Sequence, residues 1–177
     1  MLSGVKSKNP DLKIMAGDES FFRGETPLTN TWGDTKQRKL IKTSSHYGIV
    51  AVLGAVDPQT GEHFELVIDD GSIDSDVVNI FLKRLSDKYS DQKLLLLLDN
   101  ASYHKTQGSK KYPLPENISI MFLPPYSPDL NPQENIWKIV KEAKFKNVLC
   151  KNRAELLETV INAFKSYRNH KFCVTKL

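Results

Sequence analysis

Three acidic residues, Asp18, Asp99 and Glu134, stand where an α/β chain can gather them. Asp18 closes the run Lys-Ile-Met-Ala-Gly-Asp, read as a short strand ending in an acid. Asp99 closes the aliphatic run 93–99, and Glu134 falls on the first turn of a helix expected to start at Asn131. Sites in open α/β sheets collect at the carboxyl ends of strands, so these acids can converge. Three carboxylates in one cleft repel each other unless a cation lies between them. Hard oxygen ligands favour Mg²⁺ or Mn²⁺. Two such ions, roughly 3.5–4 Å apart, clamp the attacking and leaving oxygens of an in-line phosphoryl displacement. That is the chemistry of a nuclease or of DNA strand transfer.

The elements that must position the acids are legible from pattern. Residues 46–56 and 62–68 read as a hairpin around the turn Asp57-Pro-Gln-Thr-Gly61. Helical spacing over 72–90 places Ile73, Val77, Ile80, Phe81, Leu85 and Tyr89 on one stripe, with Val78 and Leu82 at its flank. The runs 93–99 and 118–123 read as strands buried on both faces. Pro124, Pro125 and Pro128 stiffen the turn that follows. Asn131 reads as an N-cap, Pro132 as the first helical residue and Glu134 as N3, with Ile136, Ile139, Val140 and Ala143 facing inward. A last helix over 153–168 begins with a capping-box pair, Asn152 and Glu155. Hairpins followed by βα units predict an α/β fold, a mixed sheet with helices on its faces.

Composition is that of an ordinary globular chain, 40% hydrophobic and 26% charged over 177 residues, which fits a single domain. No run is long enough to span a membrane, and the N-terminus lacks the apolar core of a secretory signal. Cys150 and Cys173 read as reduced thiols of an intracellular protein. The net charge of +4 is uneven: residues 138–177 carry ten Lys or Arg against three Glu, leaving fifteen basic and eighteen acidic residues before them. A basic C-terminal third suits a polyanion, and solvated helix faces account for the same charges.

Around Asp99 and Glu134 the local words are Leu-Leu-Asp-Asn-Ala-Ser-Tyr-His and Leu-Pro-Pro-Tyr-Ser-Pro-Asp-Leu-Asn-Pro-Gln-Glu-Asn-Ile-Trp, with 34 residues between the two acids. These words resemble the catalytic domain of the DDE transposases of the mariner superfamily, particularly its bacterial insertion-sequence branch. The resemblance runs from Asp18 to the final helix. It implies a ribonuclease-H-like fold, a mixed five-stranded sheet flanked by helices, with Asp18, Asp99 and Glu134 as catalytic residues and as ligands of two Mg²⁺ or Mn²⁺ ions. It implies cut-and-paste transposition, usually into a TA dinucleotide, with transposon ends and target DNA as partners and a homodimer as the working unit. Host cytoplasm in a bacterium or archaeon, or the nucleus in a eukaryote, is the compartment such chemistry implies.

Two departures qualify this expectation. Family members usually carry helix-turn-helix modules before the catalytic domain, and only seventeen residues precede Asp18. The chain is therefore expected to be a single catalytic domain over 1–177, one half of a split transposase or a truncated copy, with a separate helix-turn-helix polypeptide as a partner. The family's loop after the first strand often reads Trp followed by a Lys-Gly pair, where this chain has Trp32-Gly-Asp-Thr-Lys-Gln.

Other residues carry two readings each. Glu134 serves equally as the N3 partner of a helix cap, and Asp99 as a turn acid. Asp18 competes with Glu19, since alternation lets only one face the cleft. Asn100 and His104 either position substrate or a ligand water, or bond to backbone. Trp137 reads as core packing beneath the helix. Lys138, Lys141, Lys144 and Lys146, and Arg23, Lys36, Arg38, Lys39 and Lys42 on the polar stretch 23–45, either track DNA phosphates or form solvated surface. Asp57, Asp69, Asp70, Asp74 and Asp76 read as turn and helix-start acids. A Ser102–His104–Asp99 hydrolase triad is excluded because the spacing is too compressed and no nucleophile elbow is present. The rival functions are a ribonuclease-H-like nuclease without transposition, and a non-catalytic remnant that binds DNA or dimerises with a complete transposase.

Overall fold

A computed structural model of the chain describes residues 11–24, 48–125, 131–146, 148–168 and 170–172. The basic positions Lys36, Arg38, Lys39 and Lys42, the 126–130 part of the proline turn, and Cys173 lie outside them. Five strands form one sheet: β1 (Leu12–Arg23), β2 (Ile49–Val56), β3 (His63–Ile68), β4 (Lys93–Leu98) and β5 (Ile118–Phe122), in the order β3-β2-β1-β4-β5. β1 and β2 pair antiparallel, as do β2 and β3, while β1, β4 and β5 run parallel. The helices are α1 (Ser75–Lys88), the single turn α2 (Ser102–Lys105), α3 (Gln133–Lys144) and α4 (Arg153–Tyr167). This is the mixed five-stranded α/β sheet that the sequence predicts. No helix among the described residues is long and apolar enough to cross a membrane.

The hairpin forms where expected. Asp57 Oδ1 accepts the N–H groups of Gln59 and Thr60, and Gly61 takes a φ of +71°, a left-handed conformation that favours glycine. Alternation along β1 sorts its side chains onto two cores. Phe22 joins Val50, Val52, Val56 and the inner faces of α3 and α4, whereas Met15 joins Leu53, Ala55, Leu94, Leu96 and α1. Asp74 caps α1 by accepting the Val77 N–H at 2.9 Å, and Asn152 caps α4 by accepting that of Glu155 at 2.9 Å.

Three expectations are corrected. β1 does not stop at Asp18 but continues to Arg23, because β2 supplies antiparallel partners from Ala16↔Val56 to Arg23↔Ile49 after the parallel ladder with β4 has ended at Ala16↔Leu97. On α1 the buried apolar face is Val78, Phe81, Leu82 and Leu85, and Ile80 is exposed. On α3 the buried set is Gln133, Ile136, Trp137 and Val140, while Ile139 and Ala143 face outward. Both errors come from choosing among i+3 and i+4 neighbours without knowing where the sheet lies.

Candidate active site

Asp18 and Asp99 arrive at one end of the sheet by register. The last parallel pair is Ala16↔Leu97, and each acid lies two residues further along its own strand. A shift of two keeps the face. Both acids therefore lie on the face of Ile14, Ala16 and Leu97, the side on which α3 contacts β1. Asp18 is mid-strand rather than terminal, but it stands level with the end of β4, where Asp99 begins the turn.

Helix α3 is docked on this face by three local contacts. It starts at Gln133, one residue later than expected, with Pro132 in the cap position. Asn131 still caps with its side chain, accepting the Gln133 N–H at 3.1 Å, and its amide donates to the Gly17 carbonyl at 3.4 Å. Trp137, 5% exposed, donates its indole N–H to Asp18 Oδ2 at 3.0 Å. Gly54, the register partner of Asp18, lies under the helix, where a Cβ would come within 2.5 Å of both Gln133 Nε2 and Trp137 Cη2. Glu134 thus stands on an exposed first turn above Asp18.

Asp18 and Glu134 line one cavity of about 540 Å³ with Glu19, Ser20, Trp137, Lys138, Lys141 and Glu142. Asp99 does not line it; its Oδ1 accepts from the Ala101 N–H at 3.0 Å and bonds His104 Nδ1 at 2.7 Å. His104 is 1% exposed, so it meets substrate only through Asp99. Asn100 donates to the Leu123 carbonyl at 2.6 Å and ties the ends of β4 and β5 together. Alternation separates Asp18 from Glu19 as expected, yet both border the cavity. Glu19 turns to the opposite side, where Tyr103 donates its hydroxyl to Glu19 Oε1. The remaining oxygen, Glu19 Oε2, is buried without a hydrogen-bond partner among the described residues.

Burial pushes the Asp18 carboxyl up to about 7, the charges of Glu19 and Glu134 push it the same way, and the Trp137 N–H pulls it down. Among the described residues no ammonium or guanidinium stands within ion-pair distance of it. The Tyr103 hydroxyl is raised by burial, by its bond to Glu19, and by the charges of Asp99 and Asp18. Burial lowers the Lys141 pKa, against the pull of Asp18, and its ammonium lies 5.2 Å from the centre of the Phe22 ring. Lys138 and Lys144 are exposed on the same helix, Lys144 over the Tyr167 ring, and Arg23 is exposed at the end of β1.

A hard divalent cation suits these donors: they are oxygens only, and the Asp18 carboxylate is buried and under-compensated. Among the described residues, however, no three His, Cys, Asp or Glu side chains stand together as a ready ligand group. Asp18 and Asp99 rest instead on Trp137 and His104. Sequence reasoning missed the Trp137 and Tyr103 contacts. Trp137 was within reach of inference, since it lies three residues beyond Glu134 and so on the neighbouring turn.

Known proteins resemble this chain to different depths. The model of the DDE superfamily endonucleases matches residues 13–157. An uncharacterised protein, y4pE/y4sA of Sinorhizobium fredii, is 33% identical over 107 residues, 60% of this chain and 76% of the relative. The Tc3 transposase of Caenorhabditis elegans is 26% identical over 161 residues, 87% of this chain and 49% of the relative. Among solved structures, a Mos1 transposase paired-end complex with the left transposon end superposes with a TM-score of 0.68 at 19% identity, covering 97% of this chain and 52% of that one. A Mos1 mariner paired-end complex with Mn gives 0.53 at 17% identity, covering 97% and 60%. The fold is therefore the ribonuclease-H-like one of Mos1, and the chain spans about half the length of the Tc3 and Mos1 chains. With four-fifths of its length matched by one family model, the chain belongs to the DDE superfamily endonucleases.

Proposed function

We propose that this chain is the catalytic domain of a metal-dependent DNA transposase, cutting at transposon ends and joining the freed end to target DNA. The observation that carries this reading is the placement of Asp18 and Asp99 on one sheet face, two residues past their last shared pair, with Glu134 docked over Asp18. Asp18, Asp99 and Glu134 are the residues that would hold Mg²⁺ or Mn²⁺. Two such ions, when bound, would supply Lewis-acid polarisation of the attacking and departing oxygens. In the first step a water oxygen attacks phosphorus, the P–O3′ bond breaks, and a 3′-hydroxyl leaves. In the second, that hydroxyl attacks a target phosphodiester and displaces its 3′-oxygen.

The chain's own residues orient these groups. Trp137 holds one oxygen of Asp18, and His104 with the Ala101 N–H holds one of Asp99. Lys138 and Lys141 line the cavity and offer charge to the DNA backbone, and Lys144, Arg23, Lys36, Arg38, Lys39 and Lys42 are the further basic residues assigned to that backbone. Transposon ends are recognised together with a separate helix-turn-helix polypeptide as a partner, and the working unit is a homodimer inside the cell. The Mos1 structures, one a complex with a transposon end and one with Mn, support the DNA and metal parts of the proposal.

Nicking of supercoiled plasmid in Mn²⁺ tests the assignment. Wild type relaxes the plasmid, whereas Asp99→Asn and Glu134→Ala keep the wild-type circular dichroism and lose the activity. Nicking retained by either variant refutes the site. A second reading, a non-catalytic DNA-binding remnant, has one observation on its side: the lack of a ready three-residue ligand group among the described residues. It predicts a wild-type melting temperature indifferent to millimolar Mn²⁺ and Mg²⁺, where the catalytic reading predicts a rise.

A further inference from the structure

We propose that Trp137 is a positioning residue for the metal-binding carboxylates, acting through its indole N–H, with Gly54 as the floor that sets its height. The inference rests on the catalytic reading above and adds a residue to it. Trp137 sits on the same helix as Glu134, one turn along, and its Nε1 reaches Asp18 Oδ2 at 3.0 Å. An indole N–H is a donor only, so on a carboxylate it fixes where an oxygen points and favours the charged form. One side chain thereby links the helix that carries the third acid to the strand that carries the first.

The link is stiff because its surroundings leave no slack. The Trp137 ring meets Phe22 edge-on at 6.5 Å and Phe164 at 6.0 Å. Below it, Gly54 allows an approach that any Cβ would block, at 2.5 Å from Cη2 and 3.0 Å from Cζ2. Gly54 is also the residue paired with Asp18 across the β1–β2 ladder. The spacing between Asp18 and Glu134 is therefore set by a ring wedged between a glycine and a carboxylate. A packing role alone needs the ring and has no use for the N–H, which separates the two explanations.

The test is Trp137→Phe, which keeps an aromatic ring and removes the donor. It is read by Mn²⁺ affinity, from calorimetry and from the Mn²⁺-induced rise in melting temperature, rather than by activity. We expect a cooperative fold and a loss of Mn²⁺ affinity of about 10- to 100-fold, the usual effect of removing an outer partner of a ligand. Unchanged affinity overturns the proposal, whatever happens to the melting temperature without metal. A second measurement leaves Trp137 in place: with Trp32→Phe, the remaining indole ¹H–¹⁵N resonance belongs to Trp137. It should shift on Mg²⁺ addition with the midpoint of the thermal stabilisation, and stay still when Asp18→Asn is added. A resonance that ignores Mg²⁺ while the protein is stabilised by it overturns the proposal. A protein stabilised by neither ion overturns the catalytic reading as well, which marks the two failures apart.

Discussion

Replacing Asp18 by asparagine removes a charge that the fold accommodates poorly while keeping an oxygen for the Trp137 N–H. The Asp18 carboxyl titrates at about 7 in the fold against 3.8 for an ordinary aspartate, chiefly because burial disfavours its charged form. The folded protein then holds this proton more tightly than the unfolded chain does. Stability tied to the protonated acid is complete below pH 3.8 and is lost as pH rises through about 7. Keeping Asp18 in the metal-free fold costs roughly 4 kcal/mol at pH 8 and roughly 1.5 kcal/mol at pH 5, taking 1.36 kcal/mol per pKa unit. Urea denaturation in EDTA should find Asp18→Asn more stable than wild type at pH 8, up to that larger figure, with the advantage shrinking by about 2.5 kcal/mol at pH 5. Millimolar Mn²⁺ should narrow the difference at pH 8, since a cation at Asp18 stabilises only the wild type. An Asp18→Asn difference that is flat between pH 5 and 8, or destabilising throughout, refutes the claim that Asp18 is a buried, uncompensated carboxylate.

Three further outcomes follow from other contacts. His63 is buried with acceptors on both ring nitrogens, Glu65 Oε2 and the Tyr167 carbonyl, each at 2.8 Å; burial lowers its pKa, but these bonds outweigh it and the net shift is upward from 6.5. Its contribution is full below pH 6.5 and lost as pH rises through the higher folded value, so the pH dependence of thermal melting above 6.5 should flatten in His63→Gln; an unchanged slope counts against the assignment. Gly54→Ala should destabilise by about 1–3 kcal/mol in urea titrations, because its Cβ overlaps Gln133 and Trp137, and a neutral result means the helix sits higher than described. Lys138→Gln with Lys141→Gln should weaken DNA binding on every sequence alike and reduce the slope of log K against log salt by about 2, and an unchanged slope removes this face of α3 from the interface.

How much was legible in the sequence differs from element to element. Composition, strand runs and helix caps act over a few residues, so the hairpin at Asp57–Gly61, the caps Asp74 and Asn152, and the five-stranded α/β plan could be read before any coordinates. Asp99 and Glu134 were visible because one follows a strand and the other stands at a helix start, whereas Asp18 reads as a strand end and lies mid-strand. Which side of a helix meets the sheet is a longer-range matter. Ile80 and Ile139 satisfy helical periodicity as well as their buried neighbours do, and only the position of the sheet exposes them.

The sequence by itself determined the types of residue available for chemistry and the local elements that carry them, since propensity, capping and apolar alternation are properties of neighbouring residues. Tertiary structure alone decided that β1 runs past Asp18, that Asp18 stands level with Asp99, and that the indole of Trp137 lands on its carboxylate. Those outcomes depend on strand register and on the height of α3 above Gly54, which are fixed by close packing between segments some 80 to 120 residues apart.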